Sequence, residues 1–169
     1  MSRVAVVTDS TADLPHGLRE RQGISVVPLT VFLDGRGYLD GVEIEPDEFY
    51  RRLPALAQLP TTSQPSPGAF AEVYRGLLEA HDEVVSVHIS AKLSGTHAAA
   101  VQGAALVDGD RIRVVDSELA SMPLGLLALA AARLAAAGAD AATVASRLEQ
   151  LRSQVRVFFV VATLENLRR

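Results

Sequence analysis

The fold is decided by one stretch, which reads Val84-Val85-Ser86-Val87-His88-Ile89, then Ser90-Ala91-Lys92-Leu93-Ser94-Gly95-Thr96-His97, then Ala98-Ala99-Ala100. The β-branched run over residues 84–89 predicts a buried strand, and the alanines predict a helix after a polar turn. In an open α/β sheet, ligands bind outside the carboxyl ends of the strands, where free N–H groups of the next helix favour negative charge. Residues 93–96 are therefore predicted to bind an anion.

The same turn also has a purely structural interpretation. Ser94 and Thr96 are both good N-cap residues, because their side-chain oxygens can accept hydrogen bonds from the first N–H groups of a helix. The residues of the turn leave both interpretations open.

Composition limits the class of protein. The chain has 169 residues, enough for one α/β domain with a full core or for one domain and the beginning of another. Sixteen Lys and Arg against 20 Asp and Glu give a net charge of −4, which argues against a nucleic-acid or anionic-membrane surface. The absence of cysteine excludes disulfides, a thiolate nucleophile and a thiolate zinc site.

Neither a signal peptide nor a membrane span is indicated. The first residues, Met1-Ser2-Arg3-Val4, lead directly into a strand-like segment, so we expect a cytoplasmic protein. The most apolar stretch, residues 122–137, contains a proline, a glycine and an arginine and is shorter than the roughly 20 apolar residues of a membrane span. It predicts a buried helix.

The pattern of strand, polar turn and helix recurs along the chain. Residues 3–8 and 111–115 predict strands that, like residues 84–89, end in hydroxyl or carboxylate side chains before a helix. Further helices are predicted at 16–22, from Pro46 to before Pro54, at 69–78, at 121–137 and at 140–154. This alternation predicts a three-layer α/β/α fold with a largely parallel sheet.

Several segments predict peripheral structure. Residues 24–33 form an apolar run in which Pro28 argues against a central strand. A turn is predicted at 34–37, an edge strand at 38–44 and a last strand at 155–162. Residues 59–68 contain three prolines and four hydroxyl side chains, which predicts a rigid loop, although Ser66 and Pro67 also suit the start of a helix.

Four segments together resemble the DegV family. They are Thr8-Asp9-Ser10 with Asp13-Leu14-Pro15, Thr62-Ser63-Gln64-Pro65-Ser66-Pro67-Gly68, Leu93-Ser94-Gly95-Thr96, and Asp116-Ser117. Their order and spacing match as well as their letters, over nearly all of the chain. The resemblance implies a two-domain α/β protein that takes no cofactor and binds one long-chain fatty acid, with the carboxylate held between the domains.

The same resemblance implies a partner and a set of site residues. Family members present the bound acid to a separate ATP-dependent fatty acid kinase, which forms an acyl phosphate. The hydroxyls that hold the carboxylate carry over onto Thr62 and Ser94, with Ser63, Gly95 and Thr96 beside them. We expect Thr62 and Ser94 to converge on one pocket, although they are 32 positions apart.

The resemblance also implies more chain than the sequence contains. Residues 1–163 correspond to the family's N-terminal domain and residues 164–169 to the start of an inter-domain helix, whereas the following Gly-Gly-Arg segment and second domain have no counterpart. A truncated product and a natural half-length relative would both look like this. Because the missing domain would leave an apolar face and an unpaired strand edge, we expect the chain to associate with itself.

Other classes of function are weaker alternatives. A hydrolase would need Ser94 as nucleophile, His88 or His97 as base and Asp116 to orient it, but the G-x-S-x-G motif is absent. The phosphate-binding motifs G-x-x-x-x-G-K-[ST] and G-x-G-x-x-G are also absent. None of the four histidines is paired in a metal-binding spacing, so we expect no metal site.

The small residues of 122–137 would either line a channel for an acyl chain or allow close packing of a helix on the sheet.

Overall fold

A computed structural model of the chain describes residues 3–158 and 160. Strands and helices mostly alternate, as the sequence predicts, apart from one run of three strands and one of two helices. In chain order they are β1 (Val4–Asp9), a 3-10 turn (Ser10–Ala12), α1 (His16–Arg21), β2 (Ile24–Val27), β3 (Thr30–Leu33), β4 (Arg36–Leu39), α2 (Pro46–Arg52), a second 3-10 turn (Leu53–Ala55), β5 (Thr61–Ser63), α3 (Pro67–Leu78), β6 (Glu83–His88), α4 (Thr96–Ala105), β7 (Ile112–Asp116), α5 (Met122–Ala136) and α6 (Ala141–Arg152).

The main sheet is parallel throughout and confirms the predicted fold class. Its strand order is β2-β1-β6-β7, and each neighbouring pair is parallel. Parallel strands buried on both faces are rich in valine, and the burial pattern of β6 leaves only its first residue partly exposed. Helices cover both faces of this sheet, so the architecture has three layers.

Alternation of side chains along the strands divides the core in two. Val6, Val85 and Val87 face α5 and α6, whereas Val7 and Val84 face α3 and α4, because successive side chains of a strand point to opposite faces. The alanine-rich helix α5 belongs to the first of these cores. Its buried side chains are Leu124, Leu127, Ala128, Ala131 and Ala132, with Gly125 also buried. Close packing on the sheet therefore accounts for its small residues.

A second, smaller sheet has the order β4-β3-β5 and is antiparallel. The turn between β3 and β4 is two residues long, and both residues, Asp34 (φ 48°) and Gly35 (φ 79°), have positive φ. Such a tight turn matches the twist of a hairpin. The predicted turn at 34–37 and strand at 38–44 are therefore wrong in their boundaries, since β4 already begins at Arg36 and ends at Leu39.

Two other secondary-structure predictions need correction, and a third falls only partly within the described residues. The apolar run 24–33 divides at Pro28 into β2, an edge strand of the main sheet, and β3 in the small sheet. The predicted loop 59–68 contains strand β5, since its hydroxyl residues pair with β3. Residues 155–158 and 160 form no strand. The rest of the predicted strand 155–162, and the helix expected at 164–169, lie outside the described residues.

Candidate functional site

The main sheet has one point at which its strand order reverses. From β1 the chain continues to β2 on one side, and from β6 it continues to β7 on the other side, while β1 and β6 are neighbours. Ligands of open α/β sheets bind in the crevice above such a switch point, at the carboxyl ends of the strands. The last residues of these two strands are Asp9 and His88.

Asp9 and His88 begin a buried chain of hydrogen bonds. His88 Nδ1 lies 2.9 Å from Asp9 Oδ2, and His88 Nε2 lies 2.6 Å from Ser86 Oγ. Tyr74 OH donates to Ser86 Oγ at 2.8 Å. All four residues are fully buried. His88 Nδ1 bonds the Asp9 carboxylate and His88 Nε2 bonds the Ser86 hydroxyl, so that every member of the chain has a partner.

Asp9 is held as a buried anion. Burial by itself raises the pKa of Asp9, but the hydrogen bond and electrostatic attraction of His88, with the Thr11 and Ile89 donors, outweigh it and lower the pKa below the usual value of 3.8. The backbone N–H groups of Thr11 and Ile89 each donate to the carboxylate at 3.0 Å. The Thr11 hydroxyl donates to it at 2.5 Å. Four donors therefore compensate the negative charge.

This arrangement does not assemble the Ser-His-Asp set considered for a hydrolase. His88 is bound to Asp9 and Ser86, and Ser86 is fully buried, so no substrate can reach it. The Asp116 carboxylate accepts instead from the backbone N–H groups of Ala91 and Glu118. Within the described part of the chain, no hydrogen bond joins Ser94 to either histidine.

The His97 side chain lies near Asp116 and His88 and makes no hydrogen bond within the described part of the chain. Burial lowers the pKa of His97, with the nearby Asp116 opposing this effect and His88 adding to it. Within the described residues, Ser94 is bonded to Thr96 and not to His97, so nothing orients this imidazole as a base for the Ser94 hydroxyl.

The side chains of the turn before α4 bond chiefly to one another. Ser94 Oγ lies 2.9 Å from Thr96 Oγ1 and accepts from the Thr96 backbone N–H at 3.2 Å. Ser94 is half-buried and Thr96 fully buried. Gly95, the residue before the helix, offers no capping side chain. The capping interpretation therefore holds for one N–H group of this turn, that of Thr96.

Two further backbone N–H donors at the start of α4 are unpaired. Among the described residues, the backbone N–H groups of His97 and Ala98 have no hydrogen-bond acceptor. In α3 and α6, by contrast, Ser66 and Asp140 accept from the third residue of the helix. Unpaired N–H groups at a helix N-terminus, together with the helix dipole, favour a negatively charged ligand.

The segment that contains Thr62 adjoins this turn. Thr62 is exposed in strand β5, opposite Val31, rather than in a loop at the end of a parallel strand as the sequence suggested. Two residues further on, the Gln64 amide lies against Gly95, where an added Cβ would be 2.6 Å from Nε2. Gln64 and Gly95 thus bring the two predicted segments together.

Ser63, the predicted site residue next to Thr62, lies on the opposite face of strand β5. Ser63 pairs with Thr30 and is exposed, and as the neighbour of Thr62 it points to the opposite face of the sheet. No hydrogen bond joins Thr62, Ser63 and Ser94 to one another among the described residues. The ligand-binding roles of Thr62, Ser63, Ser94, Gly95 and Thr96 stay a prediction.

Sequence reasoning missed the part played by Asp9, His88 and Gln64. Asp9 stands in the Thr8-Asp9-Ser10 motif, and the spacing of Ser86 and His88 in a strand puts two polar side chains on one buried face. Two such side chains need partners, and that requirement was the available signal. Gln64 gave no comparable signal.

A cavity of about 550 Å³ lies beside Asp9, away from the α4 turn. Asp9, Asp13, Asp40 and Glu45 are among its lining residues, and none of the predicted site residues is. Burial raises the pKa of Asp40, and the negative charges of Asp13, Glu45 and Asp9 raise it further, against a hydrogen bond from Ser10. This acidic cavity disfavours a carboxylate, so it and the α4 turn are different environments.

Comparison with known proteins decides the family. The sequence profile of the DegV family, described as uncharacterised proteins, matches residues 3–169. The chain belongs to the DegV family. A DegV domain-containing protein of Streptomyces coelicolor is 45% identical over 171 residues, which is all of this chain and 60% of that protein. The chain therefore spans about 60% of the length of the curated DegV relatives that it matches.

Solved DegV structures have the same fold. A fatty-acid-binding DegV family protein from Thermus thermophilus is 48% identical, with a TM-score of 0.82 over 89% of this chain and 54% of that one. DegV from Bacillus subtilis, a fatty acid binding protein, is 35% identical, with a TM-score of 0.84 over 90% of this chain and 55% of that one.

Two negative findings apply to the described part of the chain. None of its helices is long and apolar enough to cross a membrane. Residues 3–158 and 160 also contain no group of three or more His, Asp or Glu side chains arranged to hold a metal ion.

Proposed function

We propose that the chain binds the carboxylate of a long-chain fatty acid at the turn before α4. Thr62 and Ser94 hold the carboxylate, and Ser63, Gly95 and Thr96 lie beside them. One observation carries the proposal: the N-terminus of α4 has open backbone donors next to hydroxyl side chains, above the switch point of the sheet. That DegV proteins of similar structure bind fatty acids supports the choice of ligand.

The chemistry of the turn suits this ligand. A carboxylate requires donors, and hydroxyls with a helix N-terminus supply them without a buried cation. Each hydrogen bond to the charged group is worth about 1.5–3 kcal/mol. The two residues also leave room for a ligand, since Thr62 is exposed and Ser94 is half-buried.

Residues 122–137 offer an acyl chain only an outer groove. One face of helix α5 is packed into the core, and Leu126 and Leu129 on α5 line a groove of about 270 Å³ with Leu151 of α6, whereas no α5 residue lines the 550 Å³ cavity. We therefore assign residues 1–163 to an N-terminal domain and residues 164–169 to the start of a linking helix, and we place the rest of the lipid enclosure in a second domain. Self-association of this chain would follow where that domain is missing.

The wider role follows from the same proposal. The protein acts as a cytoplasmic carrier without an enzymatic activity of its own, and a separate ATP-dependent fatty acid kinase receives the bound acid from it. The carboxylate end, which the kinase would have to reach, lies at the exposed edge of the sheet.

Mass spectrometry of the purified chain under native and denaturing conditions tests the proposal. We expect a co-purified mass of a long-chain fatty acid that is lost on denaturation, and saturable binding of added hexadecanoic acid after delipidation. A chain that neither carries nor takes up fatty acid would contradict the proposal. Burst release from an activated ester, abolished by Ser94→Ala, would favour a hydrolase instead.

A further inference from the structure

Backbone hydrogen bonds of Ser90 hold the turn before α4 in place. The Ser90 backbone N–H donates to the Leu119 carbonyl at 2.9 Å, and the Ser90 carbonyl accepts from the N–H groups of Leu93 at 2.9 Å and Ser94 at 3.1 Å. Ser90 itself is only 3% exposed. The position of Ser94 in the candidate site therefore depends on where the backbone of Ser90 is held.

The residue before Ser90 is held by Asp9. The Ile89 N–H donates at 3.0 Å to Asp9 Oδ2, across from β6 to β1. On its other side, the Asp9 carboxylate is fixed by the Thr11 N–H and hydroxyl and by His88. A short path of hydrogen bonds thus leads from Asp9 through residues 89 and 90 to Ser94.

From this path we infer that Asp9 is a positioning residue of the carboxylate site. The inference rests on the proposed function. Asp9 is fully buried and cannot touch the ligand. Its role is to fix the end of β6 so that Ser94 and the open N–H groups of α4 face the carboxylate without further rearrangement.

The inference makes a specific prediction about ligand selectivity. If Asp9 only stabilised the fold, its loss would weaken binding of every ligand in proportion. As a positioning residue, it affects recognition of the charged carboxylate more than recognition of the acyl chain. The ratio of affinities for a fatty acid and its methyl ester measures this difference.

The variant Asp9→Asn keeps the shape of the side chain but removes the charge and one acceptor. We expect its affinity for hexadecanoic acid to fall about tenfold, as loss of an orienting residue behind a binding group typically does. Its affinity for methyl hexadecanoate should stay unchanged. Tyr74→Phe is the matched control, because it removes the Tyr74 to Ser86 hydrogen bond at the far end of the same buried chain. This control should lower Tm and keep the acid-over-ester ratio of the wild type.

Amide hydrogen exchange tests the path without any ligand. The amides of Ile89, Leu93 and Ser94 should exchange faster in Asp9→Asn and at the wild-type rate in Tyr74→Phe. If Asp9→Asn does not fold, Thr11→Val is used instead. It removes one hydroxyl donor to Asp9 and should shift the same two readouts in the same direction by a smaller factor.

The outcomes separate the two proposals. A wild-type chain that binds no fatty acid overturns the proposed function, and with it the ligand assigned to this turn. A wild-type chain that binds the acid, combined with an unchanged acid-over-ester ratio in Asp9→Asn, overturns only the positioning role. Equal loss of that ratio in Asp9→Asn and Tyr74→Phe would also overturn it.

Discussion

Two groups of residues around the turn before α4 differ in how far they are enclosed. The buried cluster, Asp9, Tyr74, Ser86 and His88, is fully enclosed, and each member has hydrogen-bond partners. The open cluster, Thr62, Ser63, Ser94, Gly95 and Thr96, is exposed or half-buried except for the buried Thr96, and it adjoins N–H groups that are unpaired among the described residues. Polar groups that are satisfied within the fold stabilise it, whereas accessible groups with donors to spare can serve a ligand.

The largest effect expected from this comparison is on stability in the buried cluster. His88→Ala leaves the Asp9 carboxylate with three donors and without its imidazole partner. Because removal of one partner of a buried pair is costly, we expect the free energy of unfolding to fall by about 3 kcal/mol. Urea denaturation at pH 7 measures it. His97→Ala is the control, since His97 is half-buried and has no hydrogen bond among the described residues, and it should cost under about 1 kcal/mol. Similar losses in both variants would contradict the comparison.

The free energy of unfolding should depend on pH through Asp9 in the buried cluster. The folded-state pKa of Asp9 lies below its usual value of 3.8. Its ionised form therefore stabilises the fold above that value, and the contribution is lost as the pH falls through the folded-state pKa. We expect the difference in unfolding free energy between wild type and Asp9→Asn to shrink as the pH falls through the folded-state pKa of Asp9, below 3.8. Denaturant titrations across this range provide the measurement. A difference that does not change with pH would mean that the Asp9 charge contributes nothing.

The smallest effect is expected in the open cluster. A Cβ at Gly95 would meet only the side-chain amide of Gln64, which is exposed and can move aside. Gly95→Ala should therefore change stability by less than about 0.5 kcal/mol. Gly103→Ala is the contrasting variant, because its Cβ would lie 2.6 Å from Phe70 Cβ and 2.8 Å from the Pro67 carbonyl oxygen. Thermal melts should show a loss of about 1–3 kcal/mol for Gly103→Ala only. A large loss in Gly95→Ala would show that the open cluster is part of the core.

Much of the main sheet could be predicted from local pattern. The valine-rich runs of β1, β6 and β7 are continuous and are followed by clear helix starts, so their type and order were correct. The small sheet was harder to predict. Its strands are three or four residues long, and β5 consists of hydroxyl residues whose strand conformation depends on pairing with β3. Such pairing is a tertiary interaction that a local pattern does not contain.

Only part of the candidate site could be proposed from the sequence, again because some of its contacts join distant segments. The hydroxyls of residues 93–96 were proposed because they follow a strong strand, and Thr62 was proposed through the family resemblance. The partnership of Asp9 with His88 joins residues 79 positions apart, and the contact of Gln64 with Gly95 joins two separate segments. Single-sequence patterns carry no information on contacts across such distances.

The central claim is that Thr62 and Ser94 hold a fatty-acid carboxylate. Displacement titrations of hexadecanoic acid and its methyl ester against wild type, Thr62→Ala and Ser94→Ala, with thermal melts alongside, test it most directly. Each substitution removes a hydrogen bond worth about 1.5–3 kcal/mol to a charged group, so acid binding should weaken roughly ten- to a hundredfold. Ester binding should be nearly unaffected, and Ser94→Ala should lower the free energy of unfolding by about 1–3 kcal/mol, because it leaves the buried Thr96 hydroxyl and its N–H group without their partner. Equal loss of acid and ester binding would contradict the claim and leave these hydroxyls with a structural role only.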